Sequence, residues 1–152
     1  MTPIDEPQTE ICNCAALRQA ARHVTQFYDQ HLAAAGLRTT QFSILTKLRS
    51  LGPLTINALA ERMVTDRTTL SRNIQPLRRQ KLVAVRPGHV DRRTKELHLT
   101  EIGRARLRAA AKGWTQAQAR FEAEFGKDRA LTLRRLMSED VARDFGAAAA
   151  QT

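Results

Sequence analysis

The chain has 152 residues, a formal net charge of +10, 42% hydrophobic and 26% charged residues, and only two cysteines. This composition fits a globular protein with a substantial core; it excludes a disulfide scaffold and contains no apolar run of the roughly 18 residues that a membrane span needs. The opening MTPIDEPQTE is acidic and polar, unlike a secretory or transit leader, so a reducing cytoplasm is the expected compartment.

Residues 1–10 hold two prolines and no periodicity and read as a flexible arm. From Asn13 to Ala35, Cys14, Leu17, Ala21, Val24, Tyr28 and Leu32 recur at steps of three and four, one face of a long helix that Gly36 ends. Thr39 or Thr40 caps a second helix with Phe42, Leu45, Leu48 and Leu51 inward, stopped by Gly52-Pro53. Thr55 caps a short helix facing the core with Ile56, Leu59, Ala60 and Met63. After the turn Val64-Thr65-Asp66, a helix from Arg67 toward Lys81 buries Leu70, Ile74, Leu77 and Leu82, with Pro76 set to disturb its last turn.

In LVAVRPGHVDRRTKELHLT, Val83 and Val85, then Leu97 and Leu99, alternate with polar or small residues around Pro87-Gly88, which predicts a β-hairpin with a basic loop. Thr100 caps a long helix through Ile102, Ala105, Ala109, Trp114, Ala117, Phe121 and Phe125, ending near Gly126. A last helix, Asp128 to Phe145, is expected to bury Leu133, Leu136, Met137 and Val141, with the alanines at 147–150 fraying. No repeat or linker divides this order. The expected fold is a single domain, mainly α with a small β hairpin.

The charge is concentrated. Arg62, Arg67, Arg72, Arg78, Arg79, Lys81, Arg86, Arg92, Arg93 and Lys95 stand against only Asp66 and Asp91, a local net charge of +8 out of the chain's +10. A solvated charged face is one reading. A polyanion-binding surface is the sharper one, because clustered cations gain from phosphate neutralisation and counterion release. Two short helices across a tight turn form a helix-turn-helix candidate. The second helix offers Arg67, Thr68, Thr69, Ser71, Arg72 and Gln75 on its polar side, types that reach base edges and phosphates. The basic hairpin behind it reads as the wing of a winged helix, able to enter a minor groove.

The run DRTTLSRNIQPLRRQKLVAVRPGHVDRRTKELHLTEIGRARL resembles the MarR family of winged-helix transcription factors. Leu70 and Arg72, Leu77, Lys81-Leu82-Val83, Asp91-x-Arg93 and Leu99-Thr100-Glu101-x-Gly103 carry the likeness, and GLRTTQFSILTKL resembles the family's second helix. The resemblance covers roughly residues 14 to 145. It implies a homodimer with interlocked first and last helices, bound to a pseudo-palindromic operator as a repressor that an effector releases. On that reading about 55–100 is the DNA-binding module, with about 13–35 and 101–145 as dimerisation helices. Arg93 would insert at the wing tip, Asp91 would hold its guanidinium and Arg92 would serve the phosphates. The residues agree: the long flanking helices carry apolar stripes that so small a monomer cannot bury.

The thiols Cys12 and Cys14 remain. Asn13 is a good N-cap, which sets Cys14 at the first helical position, where the helix dipole and Arg18 favour a reactive thiolate. The alternative is a small buried hydrophobe on the stripe of Leu17 and Ala21. Cys14-x-x-Leu17, Ala21-Arg22, Thr25 and Tyr28 resemble the first helix of the organic-hydroperoxide sensors within the family, which implies oxidation of Cys14 and binding of its thiolate by Tyr28. Tyr28 lies about 21 Å along the helix, so it could meet Cys14 only from another subunit. The sensors' second tyrosine falls at Thr39, and Cys12 is the one thiol in the chain that could resolve, through a strained ring. A small aromatic anion held by Arg18 or Arg22 with Phe27, Tyr28 and Phe42 is the competing effector. No cofactor, metal site at finger spacing or catalytic set is recognisable; the reading of another class is a non-specific, architectural DNA-binding protein.

Overall fold

The computed structural model describes residues 12–149; the arm expected at 1–10 lies outside them. Helix α1 (Asn13–Leu32) starts one residue earlier than expected. Cys12 rather than Asn13 is its N-cap, because the Ala16 amide already closes the first turn on the Cys12 carbonyl at 3.0 Å. Cys14 is therefore the second helical residue. The apolar stripe of α1 is only partly covered within this chain: Leu32 is buried and Tyr28 half-buried, whereas Leu17 and Val24 are 46% and 37% exposed and Cys14 and Ala21 are exposed too. A 3₁₀ turn (Ala33–Ala35) closes on Gly36, in the left-handed region at φ 68°, as the C′ reading required.

Neither Thr39 nor Thr40 caps α2 (Thr39–Leu51). Thr39 is the first helical residue, and its cap comes from α1: Asp29 Oδ1 accepts the Thr39 amide at 2.6 Å and the Thr39 hydroxyl at 2.7 Å. The Gln41 side chain accepts the Arg38 amide at 3.0 Å. Ile44, Leu45 and Leu48 are buried, but Leu51 turns outward, contrary to expectation, because the helix ends there and nothing in the core reaches it. Past Gly52, Leu54–Thr55 forms strand β1, too short to carry a sequence signal. Thr55 then caps α3 (Ile56–Met63) by accepting the Ala58 amide at 3.2 Å.

A tight turn carries Val64 in the left-handed region, and α4 (Arg67–Arg79) follows with Leu70, Ile74 and Leu77 at or near full burial. Pro76 lies inside α4 without breaking it. Burial of Leu77 anchors that turn, and the exit is fastened by the Leu82 amide on the Leu77 carbonyl at 2.9 Å. Strands β2 (Val83–Pro87) and β3 (Lys95–Leu99) pair antiparallel as predicted, Val83 opposite Leu99 and Val85 opposite Leu97, and β1 adds to the other edge of β3.

Thr100 joins three elements. Its Oγ accepts the Gly103 amide at 3.0 Å and donates to the Lys81 carbonyl at 2.6 Å, while its own amide reaches the Leu82 carbonyl at 3.2 Å. Helix α5 (Glu101–Phe125) begins there; over its first half the inward face is rotated from the expected one, whereas Ala117 is buried as expected and Phe121 and Phe125 are half-buried. Gly103, Leu107 and Ala110 are buried, while Ile102, Ala105 and Ala109 are exposed. Close approach of backbones sets this rotation: a Cβ at Gly103 would collide with the Leu82 carbonyl, and one at Gly113 with the His31 carbonyl. Residues with side chains could not occupy those two positions without a shift of the backbone.

The chain divides into two compact units at Trp114–Thr115. The first holds the main core, from Leu32 and Leu37 to Leu107 and Ala110, with thirteen leucine, isoleucine and valine side chains among its members. Each leucine fully buried there contributes about 1.5–3 kcal/mol relative to exposure. The second holds the end of α5, then α6 (Lys127–Arg135), a π-helical turn (Leu136–Asp140) and α7 (Val141–Ala149), where one continuous helix was expected. Within it Phe121 stacks on Phe125 at 5.2 Å and Arg134 pairs with Glu122 at 3.2 Å. The side chains expected to be buried here are not: Leu133, Leu136 and Met137 are 36%, 42% and 39% exposed, and Val141 is half-buried. Their pattern is amphipathic, and within this unit they are left exposed among the described residues. No helix among the described residues is long and apolar enough to cross a membrane.

Candidate nucleic-acid interface

Helix α4 is amphipathic in the strict sense. With Leu70, Ile74 and Leu77 inward, 3.6-residue periodicity sets Thr68, Arg72, Gln75 and Arg79 along the opposite side, and all four are exposed. Arg67 and Ser71 flank that stripe, Arg67 exposed and Ser71 half-buried. Arg79 extends the outward stripe to the end of the helix.

The helix start is organised by residues that no motif singled out. Asp66 is the N-cap: Oδ1 accepts the Thr69 amide at 2.8 Å, and Oδ2 accepts the Thr69 hydroxyl at 2.6 Å. The Thr69 hydroxyl, followed by its amide, holds the Asp66 carboxyl below its ordinary value of 3.8. Thr69, read from the sequence as a groove-facing donor, thus has its hydroxyl proton committed to the cap. The Arg67 Nη1 donates to Asn57 Oδ1 of α3 at 3.3 Å, steadying the first cation of the helix.

The wing loop is closed by its own hydrogen bonds. The Gly88 amide reaches the Thr94 carbonyl at 2.8 Å, and the Thr94 amide and hydroxyl reach the Asp91 carbonyl at 3.1 and 2.7 Å. Asp91 Oδ1 accepts both the backbone amide of Arg93 at 3.0 Å and its Nε at 3.2 Å. The Arg93 side chain is nonetheless 92% exposed. This is a cation held at its base and free at its tip. Arg92 beside it is exposed.

The thiol and ligand candidates lie elsewhere. Cys12 and Cys14 are free and exposed at the start of α1, with Arg18 and Arg22 exposed on the following turns. Phe27 meets Tyr28 edge-on at 5.6 Å, both half-buried. Phe42 instead stacks on Trp114 at 6.5 Å and lines a surface hollow with Thr46, Lys47, Leu51 and Arg62. The Thr39 hydroxyl, at the position of the sensors' second tyrosine, is held by Asp29.

The sequence profile of the MarR family matches residues 37–95, from just before α2 to the first residue of β3. Over 93 residues the chain is 32% identical to the HTH-type transcriptional repressor NicR of Pseudomonas putida, a match that spans 61% of this chain and 59% of that repressor's length. It is similar to the crystal structure of the M. tuberculosis transcriptional regulator MosR, at 39% identity, with a TM-score of 0.74, covering 93% of this chain and 98% of MosR. MosR in complex with DNA gives 38% identity and a TM-score of 0.70, covering 91% and 98% of the two chains. BpsR of Bordetella bronchiseptica, whose DNA binding is regulated by 6-hydroxynicotinic acid, gives 25% identity and a TM-score of 0.71, covering 86% and 95%.

Proposed function

Because the chain belongs to the MarR family of winged-helix transcriptional regulators, we propose that it is a homodimeric repressor of a pseudo-palindromic operator, released by an effector that changes the spacing of its two reading helices. One observation carries this reading: the outward stripe of α4 and the braced, exposed Arg93 are both free to meet a duplex. In it Arg67, Arg72 and Gln75 read base edges, and Thr68, Ser71 and Arg92 take phosphates. Arg93 enters the minor groove under the hold of Asp91, and Thr69 serves the cap. Residues 55–100 form the reading module, with the flanking helices 13–35 and 101–145 as the dimerisation elements of one functional domain. The exposed apolar residues Leu17, Val24, Leu133, Leu136 and Met137 support a second copy as their cover.

Binding to the gene's own upstream duplex and to random duplex at fixed salt tests the proposal. A specificity ratio of about a thousand or more is expected; a ratio near one supports the architectural reading. Arg72→Ala should relax sequence preference, at a cost of about 1–3 kcal/mol on the preferred site.

For the effector, exposure of Cys14 at the amino end of α1 favours oxidation over packing within the chain. Peroxide would take the Cys14 thiolate to a sulfenic acid, which condenses with Cys12 or a small thiol and loses water; Tyr28 of the other copy would line the site. A small aromatic acid is the second reading, favoured by Arg18 and Arg22, exposed and without ion pairs among the described residues, and by the regulation of BpsR by such an acid. Phe27 and Phe42 would supply its aromatic walls. The Cys14→Ser variant separates them: retention on the operator under peroxide supports the thiol, and release equal to wild type removes it.

A further inference from the structure

Glu96 sits mid-strand in β3, on the side opposite the buried Leu97, with its side chain only 15% exposed. One carboxylate oxygen, Oε1, accepts the amide of His89, the residue that follows Gly88 into the wing loop, at 3.0 Å. The other, Oε2, lies 3.4 Å from Nε2 of His98, whose ring is 23% exposed. That nitrogen is buried and has no well-aligned hydrogen-bond partner. With Nε2 protonated, in the neutral Nε2–H tautomer or in the cation, that nitrogen faces the carboxylate as a donor. Only the cation adds an ion pair to the contact; with the proton on the other nitrogen alone, lone pair faces lone pair. Imidazoles change charge near pH ~6.5, inside the physiological range.

The surroundings leave this pair to itself. The sheet register sets Thr55 of β1 and Arg86 of β2 opposite Glu96, and Ala84 opposite His98. Arg86 and the preceding Lys95 are exposed and form no ion pair among the described residues. Helices α2 and α3 pack on β3, but their Lys47, Arg49, Glu61 and Arg62 pair with neither group.

We propose that Glu96 is a positioning residue for the wing, fastening the loop through His89 so that its hold, and with it the grip of Arg93 on a duplex, tightens as His98 gains a proton. The duplex part rests on the DNA-binding reading above; the fastening itself does not.

The test therefore has two arms. Without DNA, NMR of the full chain should show the His89 amide titrating with the midpoint of the His98 ring. In Glu96→Gln, which keeps an oxygen for that amide but no charge, the coupling should vanish. With the upstream duplex at constant ionic strength, lowering the pH from slightly alkaline to slightly acid should tighten wild-type binding roughly two- to fivefold, the scale of a modest ion pair. Glu96→Gln and His98→Asn should flatten that slope, while His89→Asn, which alters only the loop histidine's own ring, should keep it. A His89 amide indifferent to His98, or variants with the wild-type slope, overturns the proposal. Coupled titration in a protein without affinity for any duplex would uphold the fastening and sink the DNA-binding reading instead.

Discussion

A single exposed carboxylate decides how α4 begins. Asp66 satisfies the Thr69 amide, which would otherwise be unpaired at the helix start, and takes the Thr69 hydroxyl as well. Its pKa is depressed in the folded chain, so the stability it contributes is fully present above the ordinary value of 3.8 and is lost as the pH falls through the lower folded value. Asp66→Ala should lower the melting temperature and weaken duplex binding at neutral pH. Asp66→Asn, still a capping side chain, should match wild type there while losing the acid-dependent fall. Circular dichroism melts from neutral to strongly acid pH check both, and a wild-type acid slope in Asp66→Asn would rule the cap out as its source. Asp66 with Thr69 three residues on is legible as a cap; the Asn57 side chain under Arg67 is not, because nothing in a sequence aligns residues ten positions apart on two helices.

At the scale of the elements, order and type were legible and facing was not always. Thr55 and Thr100 were found as caps and the hairpin followed from alternation, since these signals are local. The face of the first half of α5 was misjudged because apolar periodicity looks for large side chains, whereas this stretch docks through glycine against carbonyl oxygens. Pro76 misled in the opposite direction: the helix runs through it to Arg79, with the neighbouring Leu77 fully buried. Gly103→Ala tests the docking. Alanine adds about 1 kcal/mol of helix propensity, but overpacking costs about 1–3 kcal/mol, and here the obstacle is backbone that cannot rotate away. A net loss of stability, read as a lower urea midpoint with unchanged slope, is expected; a rise in the midpoint would show the contact to be slack.

For the whole molecule, the apolar pattern announced which faces needed cover but not whose surface supplies it. Leu133, Leu136 and Met137 were read as buried, and amphipathicity is the same for a helix packed within its own chain and one packed on another. Leu136→Glu discriminates. In an uncovered chain the change is nearly neutral; across a dimer interface it inserts a carboxylate into apolar contact. Sedimentation velocity at micromolar concentration should show a shift from dimer to monomer with the helical signal preserved, and duplex binding should fall with it. A Leu136→Glu protein that sediments as wild type would remove this face from the interface.

The bonds around Thr100 carry a mechanical consequence. Leu82 hangs from the last turn of α4 by its amide and from the threshold of α5 by its carbonyl, and β2 starts at the next residue. Torque on the first turns of α5 is thereby passed to α4 and the hairpin together, like a key and its bow. On the duplex-reading role proposed above, a signal arriving along that helix would move both elements in one stroke.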